Sequence, residues 1–158
     1  MPLNARTPVL ILAAALTGGC GEPVPVALTS LGAGMDDDEE LVDEAFAILG
    51  LPWEPTKRTR GTVHLTLVGE AGLPLEDKQG KTVLRTFRCI KSVVATRHAR
   101  AIAHELGHAL GLDHSCEEPC PDELADNLMA GVFSLGSDLN DEQYDELERG
   151  RRRLTSCR

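Results

Sequence analysis

The side chains with most chemistry to offer stand in eleven consecutive positions, His104 to His114, reading HELGHALGLDH. His104 and His108 are four residues apart, one helical turn, so both imidazoles project from one face and can reach a single ion at about 2.0–2.1 Å. Glu105 lies about 100° around the helix from His104, where it flanks the ion's open position instead of ligating it. Gly111 lets the chain reverse sharply after the helix, and His114, flanked by Asp113 and Ser115, then supplies a third ligand. Three imidazoles plus one open position are the donor set of a catalytic zinc ion, whereas structural zinc sites are closed by four protein ligands. Such an ion polarises a carbonyl and brings a water's pKa toward about 7, leaving Glu105 to act as general base and then to protonate the leaving amine. The implied reaction is hydrolysis of a peptide bond, with one Zn2+ per chain. The chain has five histidines, and the remaining two, His64 and His98, read as an ordinary strand residue and a helix-start residue.

The elements that must position these groups are legible in the apolar spacing. Arg97 to Leu110 has Ala99, Ile102, Ala103, Leu106 and Leu110 available for packing, with Gly111 as its stop. Upstream, Val26 to Ser30 suits a first strand. Asp36 to Gly50 carries apolar residues at helical spacing with acids near its start. Leu51 to Arg60, with two prolines and a basic cluster, reads as a connection. Thr62 to Val68 alternates as a strand does, Gly69 to Gly80 reads as a loop, and Thr82 to Ile90 and Ser92 to Thr96 supply one or two further strands. Downstream, Asn140 with Gln143 three positions later is an N-cap pattern opening a helix over Leu139 to Leu154. The expected fold class is α+β, a small twisted mixed β-sheet packed on an active-site helix, with a C-terminal helix.

The segment HELGHALGLDHS resembles the zinc-binding signature of the metzincin metallopeptidases, closest to the matrixin version, in which serine follows the third histidine. Asn127, Leu128, Met129 and Ala130 resemble the family's Met-turn, a tight turn placing a methionine beneath the zinc. The resemblance covers residues 97 to 154 by motif and residues 24 to 96 only by order of elements. It implies a zincin-like fold, a zinc endopeptidase activity on protein or peptide substrates, His104, His108 and His114 as ligands, Glu105 as base, and a closing C-terminal helix. By the same likeness, an edge strand at Thr82 to Arg88 pairs with extended substrate. The alternative is a catalytically silent zinc protein that keeps the cleft to bind peptides, which intact Glu105 argues against. Departures from the family are also visible. Gly131 and Val132 stand where matrixins carry proline after the methionine, no pro-segment with a zinc-blocking cysteine is found, and the histidine and aspartate cluster of a second, structural zinc is missing. Calcium is left open.

Composition limits the remaining choices. At 158 residues with 42% apolar content the chain has room for one domain, and aromatics at only 3% leave the core to Leu, Val, Ile and Ala. A net charge of −9, with acidic runs at Asp36 to Glu44 and Asp138 to Glu148, argues against nucleic acid as a partner. Those runs read as solvated helix faces, and a monomer is expected. Residues 1 to 19, with Arg6 and the apolar run Val9 to Leu16, have the pattern of a signal peptide. Small residues before Cys20 resemble a bacterial lipobox, so Cys20 is the expected lipid anchor of an exported outer-membrane or cell-surface protein, with periplasmic or secreted as the alternative. Residues 20 to 158 then form a single domain. Its four other cysteines allow three pairings of two disulfides in an oxidising compartment. The preferred one joins Cys116 to Cys120 across the turn containing Pro119 and Cys89 to Cys157 at the C-terminus.

Overall fold

The computed structural model describes residues 21–32, 35–69, 81–83, 89–116, 120–131 and 136–157. The signal segment, Cys20, residues 70–80 and residues 84–88 of the expected edge strand lie outside the described residues. The chain runs through β1 (Val24–Leu31), a 3-10 turn at Met35–Asp37, α1 (Asp38–Leu49), β2 (Trp53–Pro55), β3 (Thr62–Val68), β4 (Lys81–Val83), β5 (Ile90–Thr96), α2 (Ala99–Leu110), a second 3-10 turn at Asp122–Leu124 and α3 (Asp141–Thr155).

One sheet of order β2-β1-β3-β5-β4 results, parallel throughout except for β4, which pairs antiparallel with β5 at one edge. The fold is therefore α+β with a mixed sheet. In β3, Val63, Leu65 and Leu67 are buried while His64, Thr66 and Val68 are half-buried, so only one face is tightly covered. Against that face pack Phe46 and Leu49 of α1 and Ile102 and Leu106 of α2, all within one core. Each such side chain, fully buried, contributes roughly 1.5–3 kcal/mol.

Two features depart from the expectations. The stretch from Leu51 to Arg60 is not all connection, since Trp53–Pro55 adds a short strand parallel to β1. Trp53 is held there by stacking on Phe46, with centroids 5.8 Å apart, and by its indole N–H donating to Asp43 Oδ1 at 2.7 Å. Pro55 is tolerated because this is an edge. The acidic run at Asp36 to Glu44 is not uniformly solvated either, because Asp38 is 2% exposed.

Asp38 is buried by Arg97, which is itself buried and donates from Nε to Asp38 Oδ1 at 2.8 Å. Its Nη1 donates to the carbonyls of Leu31 and Gly69. One guanidinium thus ties the ends of β1 and β3 to the start of α1, two residues before α2 begins. At the other end of α2, Gly150 of α3 lies against Leu110, so close that a Cβ there would stand 1.7 Å from the Leu110 carbonyl oxygen. The sulfurs pair as Cys89–Cys157 and Cys116–Cys120, the preferred of the three pairings. The first spans 68 residues, for which a chain-entropy model assigns about 4 kcal/mol.

Two stability measurements follow. Arg97→Ala leaves a buried carboxylate and two carbonyls without their donor, and urea unfolding is expected to show a loss of about 3–5 kcal/mol, of which Asp38→Leu/Arg97→Met recovers a part. Gly150→Ala should cost stability at the upper end of the roughly 1–3 kcal/mol range of overpacked cores.

Candidate metal centre

The first two histidines are delivered by α2, whose amphipathic packing hides Ile102, Ala103 and Leu106 and turns His104 and His108 to the other side, half-buried. The helix stops in a Schellman arrangement. Gly111, at φ 112°, donates from N–H to His108 O at 3.1 Å, and Leu112 N–H donates to Gly107 O at 2.9 Å. The left-handed glycine sends the chain back toward the helix, and His114 arrives three residues later.

The three Nε2 atoms form a nearly equilateral triangle. His104 to His108 is 3.1 Å, His108 to His114 is 3.1 Å and His104 to His114 is 3.2 Å. The tautomers are settled by what the other ring nitrogens meet. His104 Nδ1 is 2.8 Å from the Leu128 carbonyl and His108 Nδ1 is 2.8 Å from the Leu112 carbonyl. A carbonyl can only accept, so in both rings Nδ1 carries the proton and Nε2 presents a lone pair. Burial lowers the pKa of His104, which the Leu128 hydrogen bond opposes and His108 reinforces. Burial, then His108, lowers that of His114. Neutral rings are thereby favoured.

Lone pairs converging at this distance repel one another unless a cation lies among them. Tetrahedral ligands at about 2.0–2.1 Å from an ion stand about 3.3–3.4 Å apart, close to the spacing here, so the three side chains fit such a group. His104, His108 and His114 are the described residues that could hold a metal ion. Imidazole donors suit zinc, copper, iron or nickel.

Glu105 is 6% exposed. Its negative charge acts on both His104 and His114, opposing the lowering of their pKa values. Met129 is fully buried against α2. A Cβ added to Gly107, between the two helical histidines in sequence, would meet Met129 Sδ at 3.0 Å.

Met129 belongs to a tight turn in which Ala130 N–H donates to Asn127 O at 3.0 Å. Ser115 N–H, just past the third histidine, donates to Met129 O at 2.9 Å. Asn127 organises this turn. Its Oδ1 accepts from Met129 N–H at 2.9 Å, and its amide pairs reciprocally with that of Gln143, at 2.8 and 3.1 Å. Gln143 also closes the capping box of α3 with Asn140. The start of α3 is therefore bonded to the turn whose Leu128 carbonyl orients His104.

Residues expected at the site thus come together around α2: His104, His108, His114, Glu105 and Met129. The Cys116–Cys120 link follows two residues after His114. Cys20 lies outside the described residues. The sequence did not reveal the Leu112 and Leu128 carbonyls, which carry no side-chain signature, nor the Asn127–Gln143 pairing, for which the capping motif was the only hint. Among the described residues no helix is long and apolar enough to cross a membrane. Comparison of the chain with models of known protein families and with curated proteins finds no match.

Titration of the metal-free protein with Zn2+ should show one tight site, abolished by His108→Ala. Asn127→Ala, which loosens the turn behind His104 without touching a ligand, is expected to weaken binding about tenfold, as losses of supporting hydrogen bonds at metal sites do. Competition against a chromophoric chelator measures both.

Proposed function

We propose that the protein is a zinc-dependent endopeptidase of metzincin type, acting on protein or peptide substrates outside the cytoplasm. The observation that carries this reading is the convergence of three imidazole Nε2 atoms, with the buried Glu105 next to the first of these histidines in the chain. Supporting it are the buried Met129 in its tight turn, the α3 helix bonded to that turn, and β4, an antiparallel edge strand. The two disulfides suit an oxidising compartment, and a lipid anchor at Cys20 belongs to the same proposal.

Zinc, when bound, supplies charge to polarise the scissile carbonyl and to acidify a water. The three histidines would hold it through their Nε2 atoms, with His104 and His108 kept in register by backbone carbonyls. The edge strand expected at Thr82 to Arg88, of which β4 holds the described part, pairs with the substrate backbone and holds it extended. Glu105 takes a proton from the attacking water as its oxygen bonds to the carbonyl carbon. As the carbon–nitrogen bond breaks, Glu105 delivers that proton to the departing amine. Burial of Glu105, a residue of α2 itself, restrains its rotamers, so the carboxylate is positioned before substrate arrives.

Glu105→Gln preserves shape and ligands while removing the base. Assayed on a peptide library, it should retain full zinc and lose roughly 100- to 10,000-fold in cleavage rate. Equal cleavage by both proteins, or a wild type without zinc, would sink the proposal. Full zinc with no cleavage by either would point instead to a silent, peptide-binding protein.

A further inference from the structure

A cleft of about 1420 Å³ opens where the starts of β3 and β5 meet the ends of α2 and α3. Its walls carry Arg58 and Arg60 from the β2–β3 connection, Lys91 from β5 and Arg153 from α3. Among the described residues that line it there is no carboxylate and no member of the histidine cluster. On a chain of net charge −9, four cations gathered in one concavity stand out, and low-dielectric walls focus their field into it.

The other arginines of α3 are paired, Arg149 with Glu146 and both Arg151 and Arg152 with Glu148. Arg153 shares Glu146 at 3.3 Å. Arg58, Arg60 and Lys91 have no carboxylate partner among the described residues. The C-terminal ends of α2 and α3 border the cleft, but each brings only about half a negative charge against the four full cations present. Side-chain charge therefore decides the sign of the cleft.

We propose that this cleft binds an acidic segment of a polypeptide, with Asp or Glu side chains seated among Arg58, Arg60, Lys91 and Arg153. Arginine forks match carboxylate geometry, two donors to two oxygens. The concavity favours a chain over a bilayer, because an extended segment lies between the walls whereas a planar surface meets only their rims. Such a segment, when part of a substrate, is held away from the histidine cluster; that last role rests on the endopeptidase reading, and the binding itself does not.

The test is fluorescence anisotropy of a labelled ten-residue peptide of alternating Glu and Leu, added to the full chain. Wild type should bind it, with affinity falling as salt is raised, and should not bind a Lys and Leu counterpart. Arg58→Glu/Arg60→Glu should weaken binding by about tenfold or more, while Lys57→Glu/Arg100→Glu, an equal change of net charge outside the cleft, leaves it unchanged. Circular dichroism and retained zinc confirm folding, and Lys91→Gln/Arg153→Gln, which should weaken binding likewise, replaces the first pair should that fail to fold. Equal weakening by cleft and control variants overturns the proposal, as does binding of phosphatidylglycerol vesicles or inorganic phosphate but not of the peptide. Glu105→Gln separates the two readings: it should bind the acidic peptide as wild type does. Peptide binding without cleavage by wild type sinks the endopeptidase alone, and cleavage without peptide binding sinks the cleft alone.

Discussion

Two backbone carbonyls, those of Leu112 and Leu128, hold the proton-bearing nitrogens of His108 and His104, and the rest of the site depends on this pair of hydrogen bonds. Without them each ring could rotate or present the wrong nitrogen, and the cluster would no longer offer lone pairs to one point. Burial makes these bonds count for more, because a carbonyl removed from water is costly to leave without a donor. The two carbonyls come from different places. Leu112 lies in the turn that ends α2, so one glycine-directed reversal both orients His108 and brings in His114. Leu128 lies in a separate turn, held by Asn127 and, through Gln143, by the start of α3.

The scaffold therefore has to position α2 from both ends. At its start, buried Arg97 joins the ends of β1 and β3 to Asp38. At its finish, Gly150 lets α3 approach to backbone contact with Leu110. The Cys89–Cys157 bond fastens the end of α3 to the start of β5. With so few aromatics, the core gains its stability from many aliphatic side chains, and these polar and covalent ties supply the definition that large rings would otherwise bring.

Much of this was legible in advance wherever a local rule governs it. Helical spacing and a stop glycine located α1 and α2, alternation located β3, and the Asn140–Gln143 capping box opened α3 where expected. Strand β2 was hidden because three residues containing a proline carry no alternation, and only Phe46, Asp43 and the β1 edge make them a strand. Asp38 was misread because an acid in an acidic run looks solvated until its partner, 59 residues away, is seen.

By itself, then, the sequence determined the donors: four-residue spacing puts His104 and His108 on one face, and Gly111 can take the positive φ that returns the chain for His114. Spacing along a helix is a local property, and local geometry follows from residue type. Only the tertiary structure decided which nitrogens face inward, that Met129 packs against α2, and that Arg58, Arg60, Lys91 and Arg153 share a cleft. Those outcomes depend on contacts between segments far apart in the chain, and such contacts form only when the whole core packs.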